Sequence, residues 1–219
     1  MTTSPTESAP RPGTAGQFVD TQASDLQNRL LNPDYRDPAA VAALARLRHG
    51  AGKAPGEVLD ILEFTVSDTF APGPEDAPGP EEWAVHVALT LFAVHQQSRG
   101  ERMHRRGRGL GTALRSLHTG APTDIPDPLL RRFRMLGTAN SFPELTHHLR
   151  GAVQLLRAAG VPLDYGRLAD QLVTWQRFGP DRVQLTWGRE FYRTHRTIPP
   201  AEQPTAAPPA QPADDQSAA

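Results

Sequence analysis

The sequence contains no cysteine, so it can build neither a disulfide framework nor a thiolate metal site, and a reducing, cytoplasmic setting is expected. Lysine is almost absent as well: Lys53 is the single one, and every other basic residue is arginine. No stretch approaches the roughly 18 unbroken apolar residues that a membrane helix needs, so no membrane association is expected. The first residues lack a basic start followed by an apolar run, and no secretion signal is expected there. Also missing is a recognisable catalytic set: no nucleophile beside a base, no paired acids, no spaced metal ligands. The eight histidines are scattered. His147 and His148, adjacent on a helix, point about 100° apart and do not readily chelate one ion. Glu81-Glu82 and Asp214-Asp215 read as a helix first turn and a tail. Catalytic residues, metal and cofactor are therefore all expected to be none.

What the chain does have is arginine, unevenly placed. Residues 98–118, SRGERMHRRGRGLGTALRSLH, carry Arg99, Arg102, Arg105, Arg106, Arg108 and Arg115 against one acid, Glu101. Extending to Arg134 adds Arg131, Arg132 and Arg134, so that nine arginines face three acids. The whole-chain charge of −1 thus hides a basic middle. Guanidinium forks phosphate oxygens bidentately and stacks on bases, so a concentrated arginine patch points to a nucleic-acid backbone. Two other origins fit the same count: a GC-rich genome also replaces lysine by arginine, and charge runs are often solvated helix faces.

Length suits one domain with tails. Residues 1–16 and 196–219 are rich in Pro, Ala, Thr and Ser, with almost nothing to bury, and are expected to be disordered. The body, 17–195, reads as helical. Residues 17–31 show weak helical periodicity. DPAAVAALARLRHG begins with Asp37 as N-cap and Pro38 at the first position, and Gly50 ends it. Arg46 and Arg48 fall near its C-terminus, where positive charge also favours the helix dipole. Residues 57–66 suggest a short helix, followed by a Pro/Gly-rich loop over 71–80. EEWAVHVALTLFAVHQQ is apolar on nearly every side and should be the central helix. His86, Thr90 and Gln97 form its polar strip, and His95 is expected to be a hydrogen-bonding core histidine.

Further on, Leu110–Leu117 reads as a short helix. Gly107, Gly109 and Gly111 before and within it fit a dinucleotide loop poorly, because no strand precedes them and arginines fill the gaps. They suit a tight turn or a close approach to phosphate. On 127–137, Leu129, Phe133 and Leu136 form the buried side and display Arg131 and Arg134 outward, with Arg132 at the flank. Ser141 and Glu144 have capping-box spacing for a helix over 142–159, whose outer face carries Arg150 and Arg157. Residues 164–176 form another helix. DRVQLTWGREFYR fits strand or helix periodicity, and its helical neighbours favour a helix. The fold class expected is all-α, a compact multi-helix bundle with disordered N- and C-terminal tails.

The blocks ALTLFAVHQQ, MHRRGRGLGTAL, LRRFRMLGTANSFPELTHHLRGAVQLLRAAGVPLDYGRLADQLVTW and WGREFYR, in this order, resemble the CasB family, the small subunit of the type I-E CRISPR Cascade complex. The resemblance runs from about residue 38 to 193. It implies a non-enzymatic helical subunit, present as a second copy of itself within the complex, which joins the other Cascade subunits and touches guide RNA and target DNA. Carried over residue by residue, the contacts fall on Arg102, Arg105, Arg106 and Arg108, on Arg131, Arg132 and Arg134, and on Arg150, with Arg46 and Arg48 as further candidates. Sequence would be read by RNA–DNA pairing, with this subunit stabilising the R-loop in antiviral defence. No aromatic interleaves the arginines in sequence, so base stacking is expected to add little. Two other classes stay in view: a helical DNA-binding regulator, for which LGTALRSLH is a poor recognition helix, and a protein-interaction scaffold whose arginines meet acidic partners.

Overall fold

A computed structural model of the protein describes residues 12–121 and 124–193. The expected tails beyond these bounds lie outside the described residues. In chain order the helices are α1 (Thr14–Leu30), α2 (Pro38–His49), α3 (Leu62–Thr65), α4 (Pro80–Gln96), α5 (Leu110–Arg115), α6 (Asp127–Gly137), α7 (Phe142–Ala159), α8 (Tyr165–Phe178) and α9 (Asp181–Tyr192). Among the described residues there is no strand, and the all-α expectation holds; the one extended contact is an isolated bridge between His104 and Leu163.

Local chemistry sets several of the boundaries. Asp37 caps α2 by accepting from the Ala39 amide at 2.8 Å, with Pro38 at the first helical position. Ser141 Oγ accepts from the Glu144 amide at 3.3 Å and opens α7, while Gly160, at φ 66°, closes it in the left-handed conformation that glycine adopts without strain. Asp164 caps α8 through the Arg167 amide at 2.9 Å.

α4 is the hub. Every residue from Ala84 to Gln96 is buried, and the helix packs against α1, α2, α7 and α8. A helix apolar on all sides can satisfy itself only this way. α5 packs on α9, and α6 sits on α7 and α9. The same core joins α1 to α9, from Val19 and Leu26 through Phe92 to Trp187 and Phe191.

Three expectations change in detail. α1 starts at Thr14, ahead of residue 17, because Asp170 on α8 accepts the amides of Gly13 and Gly16 at 2.8 and 2.7 Å and pins the first turn. The 57–66 helix is a 3-10 turn (Leu59–Ile61) and one α turn (α3), since Ile61 and Thr65 alone are buried and nothing rewards a longer helix. The polar strip of His86, Thr90 and Gln97 is covered over most of its length: Gln97 is exposed, but His86 and Thr90 are buried, His86 donating from Nε2 to the carbonyls of Gly50 and Lys53. His95 is a core histidine as expected: it is fully buried, with Nδ1 2.9 Å from the Tyr165 hydroxyl. The ambiguous last segment is helical, with Val183, Trp187 and Phe191 on its buried side.

Candidate nucleic-acid interface

The arginine-rich segment between α4 and α5 has almost no regular structure, yet its backbone is held by buried polar side chains. Gln96, at the end of α4, donates to the carbonyls of Arg99 and Glu101 (3.2 and 2.9 Å) and accepts from the Met103 amide at 3.1 Å. Gln27 on α1 does the same for His104, accepting from its amide at 2.8 Å and donating to its carbonyl at 3.2 Å. The Arg105 amide donates to Leu163 O (3.1 Å), the Gly107 amide to Asp164 Oδ2 (2.6 Å), and the Asp164 amide to Arg108 O (2.8 Å). Gly107, at φ 81°, makes the turn there.

His104 ties these supports together. The Tyr165 amide donates to its Nδ1 at 3.2 Å, so the ring proton sits on Nε2 and is donated to Asp20 Oδ1 at 3.0 Å. Asp20 in turn grips Arg106 with both oxygens. Those bonds, Arg106's above all and then His104's, hold the Asp20 carboxyl below the usual carboxylate range against the opposing effect of burial. With its backbone anchored inward, the loop exposes Arg102, Arg105 and Arg106 on a fixed frame, while Arg99 folds back and donates to the carbonyls of Arg157 and Ala158.

Arg105, Arg106 and Arg108 of the loop line an open cleft of about 930 Å³, together with Arg115, Arg193 and one carboxylate, Glu190. Glu190 is already engaged, accepting from the Gly111 amide at 3.0 Å and paired with Arg167. Arg108 is half-buried, and burial together with the charge of Arg105 pushes its pKa down. Two like charges are therefore held close, with no carboxylate in ion-pair contact with either among the described residues. Such an arrangement is relieved by an anion. Gly111 serves packing: a Cβ there would stand 2.2 Å from Trp187 O, so its absence lets α5 lie directly on α9.

A second basic tract runs over α6 and α7. Arg131 and Arg132 flank a shallow hollow with Pro128 and Met135. Arg132 also lines the next hollow beside Arg150, His147 and Gln154. Arg150 reaches across to Ala51 O at 3.0 Å and borders a third hollow that contains Lys53. No carboxylate lines any of the three.

The ten candidate arginines do not form one row. Arg105, Arg106 and Arg108 share the cleft; Arg131, Arg132 and Arg150 share the second tract. Arg102 is exposed and donates to Asn28 Oδ1 at 2.6 Å, and Arg134 is exposed outside the hollows. Arg46 is folded onto the protein itself, 2.5 Å from Glu63 Oε1 and 5.1 Å above the Phe64 ring. Arg48 is half-buried near Arg157, and burial, then that neighbour's charge, lowers its pKa. Sequence reading leaves Arg115, Arg193 and Lys53 out of the site. Arg115 is visible inside the basic stretch; nothing local marks Arg193 or Lys53. Among the described residues no group of three or more His, Asp or Glu side chains is placed to hold a metal ion, and no helix is long and apolar enough to cross a membrane.

Fold and surface together define an all-α protein that carries arginine-lined concavities on a helical body. The chain belongs to the family described as CRISPR-associated protein Cse2, whose model matches residues 43–192. It is similar to CasB from Thermobifida fusca, with 40% identity, a TM-score of 0.71, and coverage of 84% of this chain and 100% of that one. It is also similar to a CRISPR-associated protein of the Cse2 family from Thermus thermophilus, at 26% identity and a TM-score of 0.59, covering 82% of this chain and 97% of that one. A chain of a CRISPR RNA-guided surveillance complex shares the fold at 23% identity and a TM-score of 0.59, with 81% and 93% covered. Comparison with the curated proteins gives no match.

Proposed function

We propose that this chain is a non-catalytic subunit of a type I-E Cascade complex in the cytoplasm, where it holds the backbone of guide RNA or target DNA and stabilises the R-loop. The observation that carries the reading is the cleft: five arginines line it, Arg106 already paired with Asp20, and its one lining carboxylate, Glu190, is occupied by Arg167 and an amide. R-loop formation exchanges one duplex for another of similar stability, so a few neutralised phosphates suffice to tip it. Membership of the Cse2 family supports the other Cascade subunits as partners; a second copy of this chain beside them is part of the same proposal.

A DNA-binding regulator is disfavoured by α5 itself. It has six residues, of which Leu110, Gly111, Ala113 and Leu114 are buried against the body, so it has no face free to enter a groove. The test of the proposal is a reconstituted complex carrying Arg105→Glu and Arg108→Glu. Assembly is expected to be intact and target binding to fall at least about tenfold, given the salt-dependent contribution of each phosphate contact. Unchanged target binding would overturn the proposal.

A further inference from the structure

The hollow that ends the second tract differs from the others in having an aromatic wall. It encloses about 380 Å³ between the 50–54 loop, α4 and α7, within the usual range of small-ligand sites of about 300–1,000 Å³. Trp83, Val87, Leu91 and Pro143 supply apolar surface, and Lys53 and Arg150 supply charge. Trp83 is half-buried and its ring is set by neighbours: it stands edge-on to Phe142 at 5.8 Å, which leans on Trp175 at 5.7 Å. The facing loop is equally fixed. His86 Nε2 donates to Lys53 O at 3.0 Å, and Arg150 clasps Ala51 O. Arg132 lies against Gly151, where a Cβ would come within 2.7 Å of its Nη1, so the missing side chain gives the guanidinium its place on α7.

Phosphates following Arg131, Arg132 and Arg150 therefore lead to a cavity with an indole on one side and cations at its edge. We propose that this hollow takes one unstacked nucleotide of a single strand, its base against Trp83 and its phosphate between Lys53 and Arg150. The inference rests on the nucleic-acid reading above and adds a base-stacking subsite to it. Sequence order hides the subsite, because Trp83 and Arg150 meet only through the packing of α4 on α7.

The purified protein tests it at low ionic strength with two single-stranded probes of equal length, a thymidine oligomer and an abasic oligomer with the same phosphates. The wild type is expected to favour the thymidine oligomer by at least about fivefold, the low end of what stacking one base on an aromatic ring is worth. Trp83→Leu keeps apolar bulk but removes the π face. It is expected to lose that preference while holding the abasic oligomer as before. Bromodeoxyuridine in the oligomer should photocrosslink to Trp83 of the wild type, a readout that does not depend on how a variant folds. Equal binding of both probes by the wild type, or a crosslink only elsewhere, overturns the subsite and leaves the backbone-binding reading intact. Binding of neither probe counts against that reading and against the subsite with it.

Discussion

Asp20 and Arg106 are joined by both carboxylate oxygens, yet the Arg106 side chain keeps 79% of its surface exposed. Two of its five N–H donors are spent on the pair, which leaves the rest directed to solvent. The carboxylate aims the guanidinium without occupying it, and through His104 it also sets the loop that carries Arg105 and Arg108.

Replacing Asp20 by Ala should therefore cost both stability and binding. It strips a buried acceptor from His104 and releases Arg106, a loss of about 1–3 kcal/mol, or several degrees in Tm for a chain of this size. Because the Asp20 carboxyl is held below its ordinary value, its contribution is present above about pH 4 and disappears as pH falls through that value and below. Thermal unfolding of wild type and variant from pH 7 down to pH 3 checks this: the gap between them should narrow at the acid end.

His95 gives a second pH signature at higher pH. Burial, aided by the nearby charges of Arg99 and Arg157, pushes its pKa down from 6.5 to about 4. The unfolded chain then takes up a proton that the folded one refuses, so stability falls as pH drops from about 6.5 to 4, by about 2–3 kcal/mol from this group. His95→Gln keeps a hydrogen-bonding partner for Tyr165 and should flatten the denaturation midpoint against pH over that window. An unaltered slope would assign the effect to other groups, His86 first, since burial lowers its pKa too.

Glu190 is the one carboxylate in the cleft. Glu190→Gln should tighten binding of single-stranded nucleic acid two- to fivefold at low salt, with an advantage that shrinks as salt rises, because an opposing charge is removed from the site. Titration of both proteins at two salt concentrations decides it; weaker binding by the variant would mean that the cleft is not where the anion sits.

Gly111 marks the contact of α5 with α9, where a Cβ would meet the Trp187 carbonyl. Gly111→Ala is expected to destabilise by about 1–3 kcal/mol, the usual cost of overpacking. Gly100, whose Cβ would meet nothing within 4 Å, is the control, and Gly100→Ala should leave Tm nearly unchanged. Equal Tm values for the two variants would contradict the packing described.

Charge reversal of Arg131 and Arg134 separates nucleic-acid binding from scaffolding. Both side chains are exposed and neither forms an ion pair among the described residues, so folding should change by less than about 0.5 kcal/mol. A variant that enters the complex yet binds target DNA weakly fits the proposal; one that fails to assemble fits a scaffold.

Much of the fold is legible because local signals agree. Asp37-Pro38, Ser141 with Glu144, and the unbroken apolar run of α4 each fix an element without knowledge of the rest. The 57–66 segment reads as a longer helix than it is, because its apolar residues count equally until the packing shows Ile61 and Thr65 buried, Val58 and Phe64 half-covered, and Leu59 and Val66 exposed. Of the site, Arg105, Arg106 and Arg108 are legible because they are close together in the chain. Arg193 joins them only because α5 and α9 pack together. Arg46 looks equivalent to the others in sequence; Glu63, brought alongside by the 3-10 turn, is what removes it from the free arginines. Of the frame, Asp164 is legible as the N-cap of α8, but Gln27, Gln96 and Asp20 carry no signal, since a polar residue on a helix reads as solvated until its backbone partner is seen.

The most direct test of the central claim is the salt dependence of target-strand binding by the assembled complex, with wild type compared to Arg105→Gln, Arg108→Gln. If the subunit neutralises about six phosphates of a single strand, its contribution to the slope of log K against log salt is about −4, and losing two contacts should reduce the slope's magnitude by about 1.4. An identical slope for the two complexes, with affinity lowered or not, would contradict the assignment of the cleft to the nucleic-acid backbone.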